Sequence, residues 1–282
     1  MVDKNLYKRI LTLQAYSKIE HNNPYVIHLK NNKQELIFFG VDHSRNPKDA
    51  EYQRIGELFK SLIDSHSKRK IIVLLENFIP PRLFKTSEEM IKSFGESGFV
   101  YYIAKKSGIA VICPEPKSAE ILKIAASVTN KKIEIAAWAL LNSINWRLKE
   151  NNHLLKEDIE ATKKVLIAIN KSLKMLKRIT PEKLFAILSL KINFEAKRNI
   201  LPSSLNDLTT VKLNSKLIKN LQNPFINQTK INNAGAEVNR ARDYFIARSI
   251  IKQIKSGKSV FAVFGSDHVV CQEKVIRKYF KK

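Results

Sequence analysis

Apolar residues fall in three short unbroken runs, Leu36-Ile37-Phe38-Phe39, Ile71-Ile72-Val73-Leu74-Leu75 and Val260-Phe261-Ala262-Val263-Phe264. Runs of this length, rich in Ile, Val and Phe, predict strands covered on both faces, as in a parallel sheet. Ile109-Ala110-Val111-Ile112-Cys113 and a lead-in run at 25–29 predict two more. Between them the spacing becomes helical. Tyr52, Ile55, Leu58, Phe59, Leu62 and Ile63 mark one helix face after the first core strand. Asn46-Pro47 is the expected start of that helix, a cap followed by proline at the first helical position. Pro80-Pro81 stops the second core strand, and a helix over 87–106, interrupted at Gly95 and Gly98, leads to the third. A short helix over 5–18 opens the chain. Alternating strands and helices are the grammar of a parallel sheet with crossover helices.

From 118 to about 221 the strand signal disappears. Helices are predicted near 118–128, 132–150, 155–177 and 181–197, with Trp138, Leu141, Ile144 and Leu148 as the buried stripe of the second. The polar stretch 223–228 returns the chain to the sheet. A helix over 234–256 follows, with Lys252 and Lys255 in its last turns and Gly257 as its stop. A last strand over 259–264 and a closing helix complete the pattern. The expected fold is α/β, a mostly parallel central sheet with flanking helices and a helical insertion. Its core comprises 1–117 and 223–282, and the insertion or cap 118–222.

The chain has 282 residues, 44% of them apolar, enough for a sizeable core. No apolar stretch is long enough to cross a bilayer, and the first residues lack the apolar block of a secretory signal. Cys113 and Cys271 are too few for a disulfide scaffold and lack zinc-ligand spacing. A reduced, cytoplasmic protein is the expectation. The net charge of +24 comes mostly from lysines spread along the chain rather than from a dense basic block. Phosphate binding needs a clustered patch, so nucleic acid is not the expected partner.

Chemistry concentrates where strands end, because ligands of open parallel sheets collect beyond the carboxyl ends of the strands. Two apolar runs end in the same pattern, Gly40-Val41-Asp42-His43 and Gly265-Ser266-Asp267-His268, and the third ends in Glu76. An imidazole at such a place can bind a metal or move a proton near neutral pH; it can equally be a hydrogen-bonded turn residue. Asp42 and Asp267 either orient the imidazoles or bond local backbone amides. Glu76 suits a metal ligand, a general base or a satisfied strand terminus. Glu115, between two prolines, is similarly placed. Arg242 shares a helix face with Val238, Phe245, Ile246 and Ile250, so it demands an anionic partner: Glu76, a site aspartate, the charge of a reaction, or Asp243. Phosphate loops, dinucleotide fingerprints, serine elbows and His-Glu-x-x-His helices are missing. His21, His28, His66 and His153 read as surface or lead-in residues.

Taken in order, Gly40/His43, Glu76, Arg242-Asp243 and Gly265/His268 resemble the motifs of the TraB/GumN, Tiki, ChaN and erythromycin-esterase superfamily. Arg242-Asp243 followed by Ala247 is similar to part of the ChaN pattern. The likeness spans roughly 35–116 and 232–280. It implies two partly duplicated αβ halves whose histidines and glutamate meet in one cleft. Some relatives resemble metal-dependent proteases, others hydrolases in which histidine activates water, and ChaN-like members are linked to haem or iron. Tiki-type anchors and the ChaN lipobox cysteine have no counterpart here. The expectation is a hydrolase of an ester or amide bond in a small-molecule or peptide substrate. His43 and His268 would hold a divalent metal ion, with Glu76 as third ligand or base and Arg242 on the oxyanion; without metal, His43 is the base. The alternative is a non-catalytic haem- or metal-binding protein. Substrate, metal and oligomeric state are not written in the sequence.

Overall fold

The three unbroken apolar runs become neighbouring strands. A computed structural model describes residues 2–148 and 154–280; His153 and the predicted helix end at 149–150 lie outside them. One unit comprises Asn5–Leu11, Lys18–Pro116 and Arg242–Lys282, the other Met1–Lys4, Thr12–Ser17 and Lys117–Ala241.

In the first unit β1 (Tyr25–Lys30), β2 (Glu35–Val41), β3 (Ile71–Leu75), β4 (Ala110–Ile112) and β5 (Ser259–Gly265) form one sheet in the order β1-β2-β5-β3-β4. Among the described residues only β1 is antiparallel, pairing β2 across a hairpin; the remaining pairs are parallel. Every residue of β2, β3 and β5 is buried, which is why these strands carry no polar alternation. Side chains alternate between faces. Ile37, Phe39, Val73, Leu75, Phe261 and Val263 pack on Ile55, Phe59 and Leu62 of α3 (Ala50–Ser65) and on Val100 and Ala104 of α4 (Ser87–Lys106). Full burial of such a side chain contributes roughly 1.5–3 kcal/mol. The closing helix, Ser266–Phe280, packs against β1, β2 and β5.

Three local expectations are corrected. Helix α3 begins three residues after Pro47, because Asp49 accepts the Glu51 N–H at 3.1 Å and is the true cap. Asn46 instead accepts the Lys48 N–H within a turn. The opening helix splits into α1 (Lys4–Arg9) and α2 (Leu13–Tyr16), since Thr12 caps a fresh helix through the Ala15 N–H. The predicted 155–177 helix stops at Leu173, where Lys174 turns left-handed.

The second unit is helical: α5 (Ser118–Thr129), α6 (Lys132–Arg147), α7 (Lys156–Leu173), α8 (Pro181–Ala196) and α9 (Ser215–Gln222). Helix α6 is central, touching the four others. It buries Leu141 and Ile144, with Leu148 just beyond its end, while the half-buried Trp138 donates its indole N–H to the Gln222 carbonyl at 2.8 Å. Helix α10 (Lys230–Lys255) begins in this unit and passes into the first at Arg242; α11 is Ser266–Phe280.

Candidate functional site

Strand order brings the chemistry together. With β5 lying between β2 and β3, the segments carrying His43, His268 and Glu76 leave three adjacent carboxyl ends, the ligand-collecting edge of such a sheet. Glu76 is the centre. Its Oε1 accepts from Arg242 Nη2 at 2.8 Å and its Oε2 from the Gly265 N–H at 2.6 Å. His268 Nε2 stands 3.6 Å from Oε1 and His43 Nε2 3.9 Å from Oε2. Arg242, 166 residues away in sequence, is carried in by α10.

Each imidazole has a carboxylate behind it. His43 Nδ1 lies 2.6 Å from Glu96 Oε1, and His268 Nδ1 lies 2.7 Å from Asp243 Oδ1. Gln272 donates to the same Asp243 oxygen at 2.7 Å. Arg242 is clamped by Glu115, with Nε–Oε2 at 2.5 Å and Nη2–Oε1 at 2.9 Å, and also donates to Asn77 Oδ1 at 2.9 Å. Glu115 in turn accepts the Asn77 N–H at 2.8 Å. His43 and Asn77 both have left-handed backbones, φ 46° and 65°. Conformations of that sort cost about 1–3 kcal/mol for ordinary residues and gather at working sites.

Proton affinities follow from these contacts. The Glu96 carboxylate on its Nδ1 raises the His43 pKa from 6.5 to about 9, helped by Glu76 and Asp267, against a smaller opposing effect of burial. For His268 burial opposes the charged form, but Asp243, Asp267 and the Asp243 hydrogen bond outweigh it and lift the pKa well above the ordinary value. Burial alone would raise the Glu76 pKa; the close His268 imidazolium first, then Arg242 and His43, hold it far below the usual carboxylate range. At neutral pH His43, His268 and Arg242 are thus cations gathered on the Glu76 carboxylate, while burial pushes the Asp243 carboxyl up and the charge and hydrogen bond of His268 pull against that rise.

All four candidates from the sequence, His43, Glu76, Arg242 and His268, meet here. The two aspartates of the repeated turns do not hold the imidazoles. Asp42 accepts from Asn23 Nδ2 at 2.7 Å, and Asp267 accepts its neighbour's N–H, that of His268, at 2.9 Å. Nor does Arg242 pair with Asp243. Glu96 was not a candidate at all. Its signal is the glycine pair that interrupts α4: at Gly95 (φ 60°, ψ −143°) the helix kinks, and Glu96 follows immediately.

The donor chemistry bears on a metal ion. Imidazoles that present Nε2 and rest Nδ1 on a carboxylate are built as metal ligands usually are. Glu76, however, already satisfies a guanidinium and a backbone amide, and the Arg242 charge would repel a cation. Among the described residues no group of three or more His, Cys, Asp or Glu is arranged to hold a metal. The set as it stands fits a divalent ion poorly. Comparison with known proteins finds no matching family model, curated protein or solved structure.

Proposed function

We propose that this chain is a hydrolase of an ester or amide bond, akin to the TraB/GumN–Tiki–ChaN–erythromycin-esterase superfamily, in which His43 moves the proton. One observation carries the reading: both imidazoles present Nε2 to a single carboxylate while a second carboxylate backs each Nδ1. A surface ion-pair network has no need of that arrangement. The two histidines take different roles because their surroundings differ. His43 is half exposed and can exchange protons with solvent and substrate; His268 is buried and stays cationic beside Asp243.

The reacting form has His43 neutral. A water O–H gives its proton to Nε2 as its oxygen bonds to the carbonyl carbon, and the C=O electron pair moves onto oxygen. Arg242 and His268 supply fixed positive charge for that oxyanion, where preorganised charge is most effective. Collapse breaks the bond to the leaving group, which takes the proton back from His43. Glu76 keeps the cations gathered by its own ionised charge.

A pKa of about 9 leaves roughly one per cent of His43 neutral at pH 7. Hydrolysis should therefore rise about tenfold per pH unit and level off near 9. Turnover of a panel of nitrophenyl esters and anilides tests the reading. His43→Ala should cost about 10²–10⁴-fold, and an unchanged rate refutes it. The metal-assisted form predicts bound metal that the His43→Ala/His268→Ala variant loses; equal metal content in the two removes it. The haem alternative predicts a Soret shift that His43→Ala abolishes.

A further inference from the structure

Helix α8 is apolar on both sides but covered on only one. Leu184, Phe185, Leu188 and Ile192 are buried, as the inner face of a helix in a bundle should be. On the other side Ile187, Leu190 and Phe194 are 37%, 69% and 75% exposed. Their spacing of three and four residues makes one continuous stripe. Lys183 stands one turn before it and Lys197 and Arg198 just after it, all exposed. The turn leading into α8 adds exposed Lys174, Lys177 and Arg178.

Acidic residues are few beside these charges in the sequence. The acidic residues between 164 and 200 are Glu182 and Glu195. Glu195 bonds Lys191 at 3.0 Å and Glu182 faces Lys163 at 3.9 Å. Among the described residues no ion pair involves the six cations named above. A second copy is a poor occupant, because a self-complementary contact would set two basic surfaces face to face. Nucleic acid would meet the cations, but it gives Ile187 and Leu190 no apolar surface. An anionic bilayer satisfies both: acyl chains take the stripe, and phosphate headgroups meet lysines at its two ends.

We infer that the α7–α8 hairpin is a peripheral docking surface for anionic lipid, with Leu190 and Phe194 entering the interface. The charge excess of the whole chain, +24, then works with this patch: it draws the protein to the membrane, and the apolar stripe orients it. No helix is long and apolar enough to span a membrane among the described residues, so the contact would be reversible and weakened by salt.

Sedimentation of the full chain with phosphatidylcholine vesicles, with and without phosphatidylglycerol, tests this. Binding is expected only with the anionic lipid. Leu190→Ser/Phe194→Ser should lower the partition coefficient at least about tenfold, with an unchanged circular dichroism spectrum because both side chains are exposed. Lys183→Gln/Lys197→Gln/Arg198→Gln should weaken binding and flatten its salt dependence. Equal binding by parent and Leu190→Ser/Phe194→Ser overturns the inference. So does failure to bind anionic vesicles, a dimer in solution that the apolar variant abolishes, or RNA retention that it does not change.

Discussion

The same tetrapeptide pattern closes two adjacent strands and does two different things. After β5, Gly265-Ser266-Asp267-His268 turns straight into α11, so His268 lies in the first helical turn with its side chain 4% exposed. After β2, Gly40-Val41-Asp42-His43 stays extended through Val41 and leaves His43 in a left-handed loop with its side chain 53% exposed. A cation at a helix N-terminus is disfavoured by the macrodipole. His268 therefore depends on the buried Asp243, whereas His43 rests on Glu96 with water at hand. Matching sequence fixes where an imidazole leaves the sheet; what surrounds it fixes its work.

The largest difference should appear when the carboxylates are neutralised. Asp243→Asn leaves a charged imidazole buried without its partner, a loss of about 3–5 kcal/mol that takes up much of a typical domain's stability. Adding His268→Gln should recover part of it, because the unpaired charge is then gone. Urea unfolding of the single and double variants measures this. An Asp243→Asn cost no larger than that of Glu96→Gln would erase the distinction between the two histidines.

The glycines give the next contrast. A Cβ on Gly40 would come 2.8 Å from Ser266 Cα and 2.9 Å from the Tyr25 carbonyl, both backbone atoms. On Gly265 it would come 3.0 Å from His43 Nε2 and 2.9 Å from Asp267 Oδ1, both side-chain atoms that can rotate. Gly40→Ala should destabilise by about 1–3 kcal/mol. Gly265→Ala should cost under about 1 kcal/mol yet displace the His43 ring and lower the proposed hydrolysis more than Gly40→Ala does. Thermal melts and rates on the same samples separate the two effects; the reverse ordering would show that His43 does not need that gap.

Much of this was legible in the apolar runs. β2, β3 and β5 are buried on both faces, so hydrophobicity alone marks them, and the polar residue at each end stands out against it. Arg242 was visible for a similar reason, as a charge on an apolar helix face. Partnerships were not legible. Nothing in the local pattern says that β5, some 180 residues downstream, inserts between β2 and β3. Glu96 reaches His43 only because α4 bends at Gly95, and a periodicity argument reads that bend simply as an interruption. Of the two readings open for the turn aspartates, Asp267 follows the local one and accepts a backbone amide, while the Asn23 amide group claims Asp42; the sequence could not choose between them because both lie within reach of a short side chain.

A small expected change in stability is also the most diagnostic. His43 has a folded pKa of about 9 against an ordinary 6.5, so its protonated form is favoured by folding. That contribution is full below 6.5 and is lost as the pH climbs through 9. Glu96→Gln removes the largest cause of the shift and should bring the pKa back toward 6.5. Because the His43 ring is half exposed and screened by water, the cost at neutral pH should be only about 1 kcal/mol, and stability should vary less between 6.5 and 9 than in the parent. The effect on the proposed reaction runs the other way: a lower pKa puts more neutral imidazole at pH 7, so Glu96→Gln should hydrolyse faster than the parent there. The advantage should shrink toward pH 9, where the parent is also deprotonated and its base is intrinsically stronger. A parent faster than Glu96→Gln at pH 7, with the variant's lowered His43 pKa verified by NMR titration, would mean that His43 works as an acid and would leave water activation to another group.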